Sequence, residues 1–145
     1  MTDTVIISGT ITPSTPAAEI GAEVWINNTC VINCEHVDSA ILFEHTLDDS
    51  ESEHELRIVM KHKQLSHTQI DQEGQIVQDA VLTVSDVAFD GIQLAQILSD
   101  LSIYTHDFNG TQSQSQHRFY GDMGCNGTVS LRFSTPLYLW MLEHM

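Results

Sequence analysis

Apolar and polar residues alternate along most of this chain, and the dominant period is two. Segment 22–33 places Val24, Ile26, Cys30 and Ile32 on one side and Trp25, Asn27, Thr29 and Val31 on the other. Asn27-Asn28 divides it and suits the left-handed positions of a tight turn, so a short hairpin is predicted. A strand over 40–47 carries Ile41, Phe43 and Leu47 on one face. Another over 55–61 points Leu56, Ile58 and Met60 inward and Arg57 and Lys61 outward. Between them, Asp48-Asp49-Ser50-Glu51-Ser52-Glu53 reads as a solvated loop. Over 80–89 the parity changes: Leu82 and Val84 share one face, Val87 and Phe89 the other. Such a slip signals a bulge or a corner between sheets. Val129, Leu131 and Phe133 point inward from a strand over 127–134, and further strands are expected near 5–11 and 117–120.

Two segments leave that period. Ile92, Ile97, Leu98 and Leu101 recur at helical spacing behind Asp90, a candidate N-cap, and predict a short helix near 91–101. Thr135 and Pro136 suit the opening of a helix over 136–144 that is apolar nearly all round. Its Leu139, Trp140 and Leu142 are expected to be pinned under their own domain, with a homo-oligomer joined through this segment as the alternative. Asp71-Gln72-Glu73-Gly74 has turn chemistry, and 111–116 is a polar loop. About eight strands, separated by turns and undivided by any linker, predict one all-β domain over residues 1–145. An antiparallel β-sandwich of jelly-roll type fits best.

Composition narrows the function classes. A chain of 145 residues buries about two-thirds of its unfolded surface, enough for one core. Twenty acidic residues against five basic give a net charge of −15, which argues against direct nucleic-acid binding and docking on anionic membrane. No apolar run is long enough for a transmembrane helix, and the opening MTDTVIISGT has no basic region, so cytoplasmic synthesis is expected. Cys30, Cys34 and Cys125 are too few for a disulfide framework and are read as free thiols. Cys30-x3-Cys34-x-His36 lacks the second pair that a structural zinc site needs, so no metal is assigned there.

The stretch from Glu23-Val24-Trp25-Ile26-Asn27-Asn28 to Met60 resembles the middle of galactose-binding-like and carbohydrate-binding-module jelly rolls. There, a strand ending near an Asn precedes a Phe-bearing strand, a polar turn and a (G)-E-H-x-L-x-(I/V) strand. The matching residues are Asn27, Phe43, Glu53, His54, Leu56 and Ile58, with Ser52 in place of the glycine. A second set, Asp71-x-x-Gly74, Asp90-Gly91-Ile92, Phe119-Tyr120-Gly121 and Pro136-Leu137-Tyr138-Leu139-Trp140, resembles small proteins of tailed marine phages. The first resemblance implies a jelly roll; the second implies a phage-encoded or virion-associated protein.

Two loops concentrate the chemistry of a sugar site: an aromatic ring for the apolar face of a pyranose, with carboxylates and carboxamides for its hydroxyls. They supply Tyr104, Asp107, Asn109, Tyr120, Asp122 and Asn126 as candidate ligand-binding residues, and Trp25, outward on its strand, is a further candidate platform. Asp107, Asn109 and Asp122 are also oxygen donors of the kind calcium takes, but the rest of a calcium loop is missing and no cofactor is assigned. No G-x-S-x-G or H-E-x-x-H occurs, and no catalytic residues are assigned. The expectation is a non-catalytic binding or structural module whose partner is a carbohydrate or a virion protein. The alternatives are an acidic nucleic-acid mimic or anti-defence protein binding a basic partner, and a small hydrolase acting on carbohydrate.

Overall fold

In the computed structural model the described residues are 3–64, 68–70, 72–73, 76–107, 110 and 112–144, and they form thirteen strands and two short helices. Strands β1 (Thr4–Pro13), β4 (Ile41–Asp48), β8 (Leu82–Phe89), β9 (Ile92–Gln93) and β12 (Asp122–Met123) build one antiparallel sheet. Its order is β12-β8-β1-β4, with β9 paired to the end of β8. Strands β2 (Gly21–Ile26), β3 (Thr29–Cys34), β5 (Ser52–Lys61), β10 (Ile103–His106), β11 (Ser115–Arg118) and β13 (Gly127–Thr135) build the other, in the order β11-β10-β13-β5-β2-β3. A separate hairpin joins β6 (Thr68–Ile70) to β7 (Ile76–Asp79); positions 71 and 74 of its expected turn lie outside the described residues. This is the antiparallel sandwich that the alternation predicts. The strands beyond the expected eight include the short β6, β7, β9 and β12.

The core follows from the alternation. β5 and β13 pair in register from Gly127↔Met60 to Thr135↔Ser52. Leu56, Ile58 and Met60 thereby turn inward beside Val129, Leu131 and Phe133, and all six are buried. From the facing sheet come Val5, Ile7, Ile11, Phe43, Leu82 and Val84. Gly9 breaks the apolar run of β1 for a packing reason: it pairs with Phe43, whose ring lies where a Cβ would meet it at 2.6 Å. At one end, helix α2 (Leu137–Glu143) buries Leu137, Trp140 and Met141. The Trp140 ring lies 5.9 Å from Phe89 of one sheet and 6.0 Å from Phe133 of the other, closing the gap between them.

Several expectations need correcting. Helix α1 (Ala95–Leu101) begins later than the periodicity suggests, because Ile92 and Gln93 pair with Phe89 and Ala88 as β9. Asp90 is no N-cap; it turns the chain at φ +54 and accepts hydrogen bonds from Ile6 N (2.8 Å) and the Tyr138 hydroxyl (3.1 Å). Thr135 ends β13 with its hydroxyl on Ser50 O, and Pro136 stands at the N-cap of α2. Leu139 and Leu142 stay 60% and 69% exposed, since one stripe of a seven-residue helix reaches the core. In β3 the register steps from Val24↔Ile32 to Trp25↔Cys30, so Val31 is extra and Cys30 is exposed rather than inward. The strand expected near 117–120 is β11, two residues earlier.

Candidate functional site

The parity slip in β8 is a β-bulge. Thr10 pairs with Ser85 and Ser8 with Ala88, so Asp86 and Val87 together oppose Gly9. Accommodating the extra residue sends Asp86 to φ +55, a left-handed conformation that Asp tolerates better than most residues. Val87 then turns into the core and the Asp86 side chain turns out to solvent.

Above the bulge lies a pocket of about 170 Å³. Its floor is apolar, from Val84, Val87, Leu98 and Phe119. Its rim is polar, with Ser85 and Asp86 on β8, Gln93 on β9, Ser99 on α1, and Tyr120. Three cross-ties hold the walls: Val84 N donates to Gly121 O (2.8 Å), Leu94 N to Val87 O (2.9 Å) and Arg118 Nε to Ser99 O (2.6 Å). Tyr120 is 76% exposed, yet its ring is propped by the Arg118 guanidinium 5.4 Å from the ring centre. Asp100 at the end of α1 pairs with that guanidinium in turn. The side chains of Ser85, Asp86 and Gln93 and the Tyr120 hydroxyl have no hydrogen-bond or ion-pair partner among the described residues. A rim of uncommitted donors and acceptors over an apolar floor can orient a small polyhydroxylated ligand.

The residues proposed from sequence fare unequally. Tyr120 lines this pocket. Asp122, two residues on, accepts from the Thr83 hydroxyl at 2.7 Å. Tyr104 is buried in β10; its hydroxyl accepts from Cys125 N (2.9 Å) and donates to Cys125 O, and burial pushes its pKa well above the phenol range. Asn126 clamps the backbone of Lys63, accepting from its N (2.8 Å) and donating to its O (2.7 Å). Asp107 accepts from Gly110 N at 2.8 Å and shapes its own loop. Asn109 lies outside the described residues. The two loops therefore do meet, through Tyr104 and Cys125, but that contact is an internal latch. Trp25 lies elsewhere, on the outer face of the six-stranded sheet. Its Nε1 donates to Glu23 Oε1 (2.8 Å) and Arg57 stacks 5.6 Å from its ring. The indole and Lys61 together hold the Glu23 carboxyl below its usual range. Glu55 beside them accepts from Ser130 (2.7 Å) and pairs with Arg57 (3.4 Å) and Arg132 (3.7 Å), although the buried Arg57 Nε makes no hydrogen bond.

Of the oxygen donors named for calcium, Asp107 accepts from Gly110 N and Asp122 from the Thr83 hydroxyl, and Asn109 lies outside the described residues. Among the described residues no group of three or more His, Cys, Asp or Glu could hold a metal ion. The three cysteines are free. No helix among the described residues is long and apolar enough to cross a membrane.

No family model and no curated protein matches this chain. Two solved structures do. The selenomethionine form of vCBM60, from work linking two families of calcium-dependent carbohydrate binding modules by circular permutation, has 13% identity and a TM-score of 0.51. The match covers 88% of this chain and 89% of that one. The fold resembles that of vCBM60. The vCBM60 module in complex with galactobiose aligns over 89% of this chain and 97% of its own, with 12% identity and a TM-score of 0.48. The first of these matches supports the jelly-roll resemblance of 23–60 at the level of fold, and two of the residues that carry it, Asn27 and His54, meet in space. Asn27 Nδ2 lies 3.0 Å from His54 Nδ1, and Asn27 Oδ1 accepts from Glu55 N at 3.0 Å.

The alternation along β8 marks the bulge but does not single out Asp86, Ser85 or Gln93. The parity slip was the available signal, since bulges often re-aim a side chain beside a binding site. Lys63 was also missed, and nothing in the pattern around it marks it.

Proposed function

We propose that this protein is a non-catalytic carbohydrate-binding module that seats a sugar against Tyr120 in the bulge pocket. The observation that carries this reading is the convergence of Ser85, Asp86, Gln93 and the Tyr120 hydroxyl, all without partners among the described residues, on an apolar-floored pocket. The Tyr120 ring can cover the apolar face of a pyranose while Asp86 accepts from its hydroxyls. The carbohydrate-binding-module fold supports the same ligand class. Binding is favoured over cleavage because glycoside hydrolysis uses two carboxyl groups across the scissile bond, and Asp86 is the one acid lining the pocket.

The test is a titration of isotope-labelled protein against a panel of methyl glycosides and oligosaccharides, followed by amide shifts. Binding should map to Ser85, Asp86, Gln93 and Gly121. Tyr120→Ala and Asp86→Ala should each weaken it about 10- to 100-fold, the loss of one charged hydrogen bond or ring contact, without altering the circular dichroism spectrum. Binding that survives both substitutions, or that maps to Trp25, refutes this site.

A further inference from the structure

Resting on that carbohydrate reading, we infer that the pocket takes one uncharged sugar ring at the free end of a glycan and rejects anionic sugars. Three observations carry this. The first is size: about 170 Å³ is below the roughly 300–1,000 Å³ of sites that enclose a drug-sized ligand, so one ring fits and two do not.

The second is closure. Four segments ring the pocket: the β8 bulge, β9, α1 and the 119–121 stretch. Backbone hydrogen bonds from Val84 to Gly121 and from Leu94 to Val87 tie them together, as does the Arg118 bond to Ser99. A sugar inside a chain is substituted on both sides and needs two exits. Walls tied to one another on every side favour a single mouth over a through-groove, and a chain end needs no more.

The third is charge. Asp86 is the one ionisable acid or base in the lining apart from the Tyr120 phenol, and no cation lines the pocket. Arg118 is held by Ser99 O and Asp100 and supports the Tyr120 ring without lining the pocket. A uronate or sulfate seated here meets a carboxylate with no cation in the lining, in a protein of net charge −15. Adjacent neutral hydroxyls instead donate to both Asp86 oxygens, with Gln93 and Ser85 completing the set.

The experiment uses the full chain and three probes followed by amide shifts: a neutral methyl hexopyranoside, its C6-carboxylate counterpart, and an oligosaccharide whose non-reducing ring is blocked as a cyclic acetal. The neutral probe should saturate the pocket resonances. The carboxylate should bind at least tenfold more weakly, and the blocked oligosaccharide should leave the pocket unperturbed. Asp86→Asn keeps a residue that tolerates the left-handed backbone and should narrow the gap between neutral and anionic probes to less than about threefold, because the repelling charge is gone. If the carboxylate binds as tightly as the neutral sugar, or the blocked chain binds at the pocket, this inference falls while the carbohydrate reading stands. If no probe, free or blocked, perturbs the pocket, the carbohydrate reading itself falls and takes the inference with it.

Discussion

Lys63 is the most deeply buried charge among the described residues, and replacing it should separate two kinds of loss. Its side chain is 1% exposed, and Nζ lies 2.5 Å from both Asp79 Oδ1 and Gly124 O. Lys63→Met keeps the methylene stem and removes the charge and its donors. Gly124 O then loses a buried partner, worth about 1–3 kcal/mol. Asp79, whose side chain is 28% exposed, can turn to water, so little is added. The expected cost is about 2–3 kcal/mol. Asp79→Asn is worse, because the ammonium it leaves behind cannot reach water; the expected cost is about 3–5 kcal/mol. The double variant should cost less than the sum, since removing the ammonium also removes the penalty of leaving it unpaired. A coupling of more than about 1.5 kcal/mol is expected from the cycle. Urea unfolding at neutral pH, with slopes compared between variants, measures all three. Equal and additive single effects would refute the reasoning, because they would mean that neither charge depends on the other.

Two further perturbations test the architecture. Removing residues 136–145 uncovers Phe89 and Phe133 and should abolish cooperative thermal unfolding, whereas Leu139→Ser and Leu142→Ser, at exposed positions, should each stay within about 0.5 kcal/mol of the parent; a folded truncation would show that α2 is not the plug. Acid should weaken the fold through His54: burial lowers its pKa from the ordinary 6.5, although Glu53 pulls the other way. The neutral ring fits its partners, with Nδ1 accepting from Asn27 and Nε2 donating to Thr135, which in turn donates to Ser50 O. A depressed histidine leaves the unfolded chain binding more protons, so this stability is present above about pH 6.5 and is lost as pH falls toward the lower folded pKa, by at most about 1.4 kcal/mol per unit. His54→Gln should flatten the slope of unfolding midpoint against pH between 7.5 and 5.5, and an unchanged slope would remove His54 from the account.

The strands were legible because burial on one face writes itself into sequence as alternation. Leu56, Ile58, Met60 and Val129, Leu131, Phe133 needed nothing more. The β8 bulge was legible for the same reason, as a slip in that alternation. Which residue of the slip would face solvent was not, because that depends on Gly9 of β1 taking two partners at once, a pairing across 77 positions. That Tyr104 and Asn126 take partners inside the fold was not legible, for a different cause. An aromatic beside Asp, Asn and Gly looks the same whether it meets a ligand or latches its own loop, and the deciding contacts, Tyr104 to Cys125 and Asn126 to Lys63, are tertiary. Lys63 is the extreme case: a lysine reads as surface until Asp79 and Gly124 are brought to it.

If the pocket seats a sugar as proposed, its small size also sets what one copy of the chain can do alone. A single sugar ring has on the order of a dozen non-hydrogen atoms, and at roughly 0.3 kcal/mol per atom it gains about 4 kcal/mol, a dissociation constant near 1 mM. The fixed walls and the propped Tyr120 lower the ordering cost but add few contacts, so affinity cannot rise far above that figure. One pocket of this kind recognises and does not retain. Retention requires several copies presented together, where a second binding event becomes intramolecular and avidity grows by orders of magnitude. Presented as linked copies, the chain should hold a surface dense in neutral glycan ends far more tightly than the monomer holds the free sugar. It should release that surface when millimolar monosaccharide is added. Equal retention by monomer and linked copies would mean that contacts outside the pocket carry the binding.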